Sequence, residues 1–264
     1  MSDRSTLRTA QTLLSRLENL GGTVPDSMAR DLDTLVRLTK EVDRLDLPDG
    51  LPSAMLHALA DGRDLATDPD VQAAATRRQL TAAIPSARHE LATRAHQFLA
   101  DHADALLDAY REQFDKAAQV LTDSAKTLGA VALDDTAAVI IKGPKAAEAW
   151  ARAQGAVSTI NHTRQAWETL HQALHSSGVD PRFAVLVYAD IPPAAWFDDG
   201  IAAQHYSERP TPWQCAVAGY PLDLATPATH DQRRAAIYAE GARRDNTRTQ
   251  SAEHAQGSRF RHTA

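Results

Sequence analysis

An all-α fold is predicted for this chain of 264 residues, and three observations carry the prediction. The run from Ser86 to about Leu128 contains no proline and no glycine, and its apolar residues fall on one stripe. That stripe holds Leu91, Phe98, Leu99, Ala103, Leu106, Leu107, Tyr110, Phe114, Ala117, Val120, Leu121, Ala125 and Leu128. From Leu99 onward it steps by four, three and four, an eleven-residue period that keeps a helix nearly straight. At 1.5 Å per residue such a helix is about 65 Å long. A second run, Lys145 to His175, carries a heptad pattern. Finally, the apolar fraction of 43% is rich in alanine while aromatics make up only 5%, which suits thin helix-on-helix layers with close backbone approach.

The expected architecture is an elongated antiparallel long-helix hairpin with a small N-terminal helical unit and an irregular, proline- and aromatic-rich C-terminal segment. The corresponding divisions are 1–84 for the short-helix unit, 85–178 for the hairpin, 179–240 for the wrap with its terminal helix, and 241–264 for a disordered tail.

Taken in order, Ser5 to Leu20 places Leu7, Ala10, Leu13, Leu14, Leu17 and Leu20 on one face and stops at Gly21-Gly22, a glycine helix-end signal. Pro25 opens a second helix with Met28, Leu32, Leu35, Leu38, Val42 and Leu45, ended by Pro48-Asp49-Gly50. The short connection makes these two an antiparallel pair. Pro52 to Ala60 is a small helix around Met55, Leu56 and Leu59. Asp68 is the N-cap and Pro69 the first helical position of the next, which carries Val71, Ala75, Leu80 and Ile84. Pro85 removes a backbone donor and crowds the preceding turn, so a break or sharp kink is expected there, with Ser86 capping the long helix.

Gly129 and Asp134-Asp135 mark a turn, and Thr136 to Ile141 is open between a helical turn and a short strand. In the heptad run Ala153, Ile160, Trp167 and Leu174 form one column and Trp150, Val157, Thr163 and Leu170 its neighbour. Gly155 lies inside this helix at a cost of about 1 kcal/mol against alanine, for which close packing is the expected reason. Beyond Gly178 the composition changes. Eight of the 14 aromatics and seven of the 13 prolines fall between Pro181 and Tyr238, so this segment is expected to be irregular yet anchored, with its aromatics turned onto the helices. Within it Phe183 to Tyr188 is open between strand and buried helical turn. Thr226-Pro227 caps a last helix through Ala235, Ile237 and Tyr238.

Composition excludes several function classes. The net charge of −6, from 34 acidic and 28 basic residues spread along the chain, argues against a surface that coats nucleic acid. One cysteine, Cys215, allows no intrachain disulfide and no multi-cysteine metal site. The longest apolar run, Phe183 to Ala189, is far short of a membrane span, and the N-terminus lacks a signal-peptide layout, so a cytoplasmic location and no membrane partner are expected. Arginine greatly outnumbers lysine, which with the alanine content reads as GC-rich coding.

Among chemistry-bearing residues, His171 and His175 have the i, i+4 spacing of metal ligands, but Glu168 is misplaced for the metalloprotease motif and they read as surface histidines. His89, His96 and His102 are too dispersed for a ligand set. Neither a metal nor a cofactor is expected. The densest polar group is Asp190, Asp198, Asp199, His205, Glu208 and Arg209 among Trp196, Phe197 and Tyr206. Carboxylates with a histidine on an aromatic segment suit a hydrolase or metal-dependent nuclease, whereas aspartates beside glycine and proline also cap turns. No nucleophile elbow, Walker loop or dinucleotide fingerprint accompanies them. Cys215, between Trp213 and Val217, is expected to be buried and inert. The stretch from His230 to Ala264 carries Arg233, Arg234, Arg243, Arg244, Arg248, Arg259 and Arg261 and could touch phosphates.

Long alanine-rich hairpins present surface more readily than they perform chemistry. The expected function is therefore a non-enzymatic structural or interaction protein, of the assembly or adaptor kind found in bacteria and their mobile elements, binding a protein partner or itself. Trp196, Phe197 and Trp213 are the candidate partner-binding residues, since aromatics on a proline-stiffened loop lose little entropy on docking. The alternatives are a hydrolase or metal-dependent nuclease built on Asp190 to Arg209, and a nucleic-acid-binding accessory protein using the C-terminal arginines.

Overall fold

The computed structural model describes residues 3–45, 50–175, 178–204 and 209–259, with side chains described from 5 to 249 of these. The chain is all-α, with no strand among the described residues. Its helices are α1 (Asp3–Asn19), α2 (Asp26–Arg44), α3 (Leu51–Ala60), α4 (Pro69–Leu128), α5 (Thr136–Ile141), α6 (Pro144–His175), α7 (Pro193–Asp198), α8 (Pro212–Ala218) and α9 (Pro227–Arg259). Two short 3-10 helices, Pro181–Val187 and Ile201–Ala203, lie between α6 and α8. Among the described residues no helix is long and apolar enough to cross a membrane.

Two compact units divide the chain, Met1–Glu18 with Thr23–Asp104 and Asn19–Gly22 with Ala105–Ala264. The division thus falls within α4 rather than at the expected 84/85 boundary. Pro85 lies inside α4, which is helical on both sides of it, so the expected break is absent. A proline inside a helix removes one backbone hydrogen bond, and the flanking residues, rich in alanine and arginine, favour continuing it.

In the first unit, Leu7, Ala10, Leu13, Leu14 and Leu17 of α1 and Met28, Leu32 and Leu35 of α2 are buried, as their spacing predicts. From α4, Val71, Ala74, Ile84, Ala95, Phe98 and Leu99 are buried. Asp68 caps α4: Oδ1 accepts from the backbone of Asp70 at 2.9 Å and Val71 at 3.0 Å. Its Oδ2 accepts from Arg63 Nη1 at 2.5 Å. These bonds satisfy a carboxylate that is only 3% exposed. The small helix α3 buries Ala58 alone; Leu56 and Leu59 remain 68% and 59% exposed.

In the second unit α4 pairs with α6. Leu106, Leu107, Tyr110, Phe114, Ala117, Leu121, Ala125 and Leu128 are buried on α4, whereas Val120 is exposed and Leu91 and Ala103, nearer the start of the stripe, are half-buried. On α6 Ala149, Ala153, Ala156, Ile160, Thr163, Trp167 and Leu170 are buried at alternating steps of four and three, and Ala146, Ala166 and Ala173 are buried beside them. The column of Ala153, Ile160 and Trp167 is as predicted, although Leu174 is half-buried. The second column starts at Ala149 and Ala156 in place of Trp150 and Val157, which are half-buried. Small residues occupy the seam and the larger neighbours flank it, because close helix approach leaves no room for an indole. Gly155 is exposed and a Cβ there would meet nothing within 4 Å, so close packing is not its reason.

Thr136–Ile141 is helical, with Asp135 as N-cap accepting from Ala138 N at 2.9 Å. Phe183 to Val187 belongs to the 3-10 helix Pro181–Val187, with Phe183, Val185, Leu186 and Val187 all buried and Tyr188 as its C-cap. A buried β-branched run has the same composition in either conformation, and only the packing decides. The chain after it is anchored as predicted, but it is not simply irregular, since α7, a 3-10 turn and α8 form within it. Indole and phenol tips donate to backbone carbonyls far along the sequence: Trp150 to Leu133 at 2.8 Å, Trp167 to Ala225 at 2.6 Å, Trp213 to Val131 at 3.0 Å and Tyr188 to Pro210 at 2.5 Å. An isolated antiparallel bridge joins Ala189 to Leu222. Arg233 clamps that bridge, donating to the Leu186 carbonyl at 2.9 Å and to Asp223 Oδ2 at 2.7 Å.

The last helix does not stop near residue 240; it continues to Arg259, through the stretch expected to be disordered, while residues 260–264 lie outside the described residues. Gly241, which reads as a stop in the sequence, is internal to α9. A Cβ there would lie 3.2 Å from the Phe197 ring, so this glycine serves close approach between α7 and α9.

Candidate functional site

The described members of the polar group do not converge. Asp190 is 3.4 Å from Arg233 Nε, Asp198 accepts from Arg244 Nη1 at 2.7 Å, and Asp199 accepts from the Tyr220 hydroxyl. Arg244 holds the Asp198 carboxyl below its ordinary range, and its hydrogen bonds with Arg243 and Arg244 hold Glu240 down to about 2. Each acid is thus committed to a structural partner. His205 and Glu208, with Tyr206, lie outside the described residues.

Trp196 and Trp213 are buried, 3% and 6% exposed, and so present no docking surface in this conformation. Trp196 stacks on Phe183 with ring centroids 5.7 Å apart, and Phe197 is half-buried with the Arg244 guanidinium 5.0 Å from its ring centre. Cys215 is fully buried, and burial pushes its thiol up to about 12.

Of the C-terminal arginines, Arg233, Arg234, Arg243 and Arg244 are paired as well, while the side chains of Arg259 and Arg261 lie outside the described residues. Arg234 meets Asp231 at 3.0 Å, and Arg243 and Arg244 both meet Glu240 at 2.7 Å. His171 stacks between Trp167 and His175, with centroids 5.0 and 4.5 Å away. Among the described residues no three His, Cys, Asp or Glu side chains gather as metal ligands.

Convergent polar chemistry lies elsewhere, in a cavity of about 540 Å³ within the second unit, lined by α6, the 3-10 helix Pro181–Val187 and residues 209–212. Asn161, Arg164, Glu168 and Gln172 of α6 line it, opposite Ala184, Tyr188 and Arg209. Arg164 Nη1 donates to Glu168 Oε1 at 2.5 Å, so that pair is internally neutralised. Arg209 is different: its Nε and Nη1 are shut from solvent and have no hydrogen-bond partner. The guanidinium lies 4.9 Å from the Trp196 ring centre. Burial, and then the nearby charge of Arg182, destabilise its cation, while Asp180 opposes them. Arg209 stands among the residues singled out in the sequence, though with other partners. The Arg164–Glu168 pair was visible there only as an i, i+4 spacing. Compared with protein-family models, curated proteins and solved structures, the chain matches none.

Proposed function

We propose that this chain is a non-enzymatic helical interaction protein of the assembly or adaptor kind, associating with itself or with a protein partner. The observation that carries the reading is large apolar side chains left in solvent on short helices: Leu56 and Leu59 on α3 at 68% and 59%, and Ile140 and Ile141 on α5 at 68% and 84%. Scattered exposed leucines are ordinary, but adjacent or one-turn-spaced pairs on short helices that bury a single residue each suit contact with another protein. The separate structural pairing of Asp190, Asp198 and Asp199 supports the same reading, because a hydrolytic site needs its carboxylates together.

Light scattering on the purified full chain, together with affinity capture from a cell extract, tests this. A mass above that of one chain, or a reproducible stoichiometric partner, is expected. Leu56→Glu with Leu59→Glu, or Ile140→Glu with Ile141→Glu, should abolish it while helicity is unchanged. A strictly monomeric chain that captures nothing overturns the proposal.

A further inference from the structure

The cavity beside α6 goes beyond that reading and does not depend on it: we propose that it binds a monocarboxylate carrying a small apolar body, with Arg209 as the anion receptor. A guanidinium has five N–H donors and keeps its charge at any physiological pH. Two of the three nitrogens of Arg209 are sealed from water without a protein acceptor, so the charge is poorly compensated where it stands. Among the described residues, Asp180 is the acid that favours its charge, and Asp180 is taken by Arg182, which donates from Nε at 2.9 Å and from Nη2 at 2.6 Å to the same Oδ2. Glu168 is likewise occupied by Arg164. The remaining nitrogen, Nη2, is the donor through which a ligand in the cavity meets this cation.

The lining selects the ligand's class. One uncompensated cation matches one negative charge, which favours a carboxylate over a phosphate dianion, for which a second free cation would be needed. Val157, Ala184 and Val185 offer an apolar wall, and Asn161 and Gln172 offer amides for a polar edge. A volume of about 540 Å³ is within the range of small-molecule sites. A free organic acid and the terminal carboxylate of a peptide share this chemistry.

Calorimetric titration of the full chain at constant ionic strength separates the outcomes. The probes are benzoate, N-acetyl-alanyl-phenylalanine as free acid and as amide, and inorganic phosphate. Saturable binding of an acid is expected, at least tenfold tighter for the dipeptide acid than for its amide wherever the dipeptide binds. Arg209→Gln should weaken binding of the acid at least tenfold. Ala184→Phe, which fills the cavity and leaves Arg209 in place, should remove it. Binding of benzoate identifies a free acid as sufficient, and binding of the dipeptide acid alone identifies a chain terminus. Equal binding of acid and amide, tighter binding of phosphate, unchanged affinity in Arg209→Gln, or no binding of either acid up to about 10 mM overturns the proposal. Should Arg209→Gln fail to fold, as judged by circular dichroism, the acid–amide comparison and Ala184→Phe decide.

Discussion

The indole Nε1 of Trp167, in the middle of α6, donates to the carbonyl of Ala225 at 2.6 Å across 58 residues of sequence. Both residues are buried, at 1% exposure each, so this single bond fixes where the chain returns to the helix before α9 begins.

Trp167→Phe should therefore leave a buried carbonyl without a donor, at about 1–3 kcal/mol, with a further loss from the smaller ring. Trp150→Phe removes a similar bond to the half-buried Leu133 carbonyl, where water can replace the indole, and should cost under about 1 kcal/mol. Urea unfolding midpoints of the two variants measure the difference; equal losses would refute the assignment of Ala225 as the anchor.

Gly155→Ala should stabilise the protein. The position is helical and exposed, and an added Cβ meets nothing within 4 Å, so only the helix-propensity gain of about 0.5–1 kcal/mol remains. A raised thermal midpoint is the expected readout.

His230 gives a pH dependence. It is 3% exposed, its Nε2 lies 3.3 Å from the Phe183 carbonyl, and burial lowers its pKa from the ordinary 6.5. Burial opposes the cation most, joined by Arg234 and His171, and together they outweigh Phe183 O and Asp231, which favour it. Since the unfolded chain takes up a proton that the folded chain refuses, stability is fully present above the unfolded pKa. It falls as pH drops through 6.5 toward the lower folded value. His230→Gln should flatten the change in urea midpoint between about pH 7.5 and 5.5.

Cys215 should resist alkylation in the native state and react once the chain is unfolded. It is fully buried and its thiol is pushed up to about 12, so little thiolate exists at neutral pH and none is accessible. Iodoacetamide labelling followed by mass measurement, with and without denaturant, checks this; rapid native labelling would show that α8 opens.

Much of the helical framework was legible because helical spacing is a local property. Leu13, Leu17, Met28, Phe114, Ile160 and Trp167 are all buried where a 3.6-residue or heptad period puts them. Caps were equally readable at Asp68 and at Thr226, whose Oγ1 accepts from Thr229 N at 3.1 Å. The site was not, because nothing local says whether Asp190, Asp198 and Asp199 face one another or three different partners. Arg209 stood out by sequence, while of the α6 residues opposite it Asn161 and Arg164 were not singled out and Glu168 was weighed only beside His171 and His175.

By itself, then, the sequence determined the all-α class, the paired long helices of the second unit and the burial of Phe183, Tyr188, Trp196 and Trp213, though not of Tyr238, since each follows from periodicity or composition within one stretch of chain. Tertiary structure alone decided that Gly241 continues a helix because Phe197 needs the space, and that Pro181–Val187 is a 3-10 helix. It also decided that Arg209 Nε and Nη1 are shut from solvent without a hydrogen-bond partner. The reason is common to all three: each is settled by a neighbour remote in sequence or by the balance of packing around it, and spacing along the chain carries no record of either.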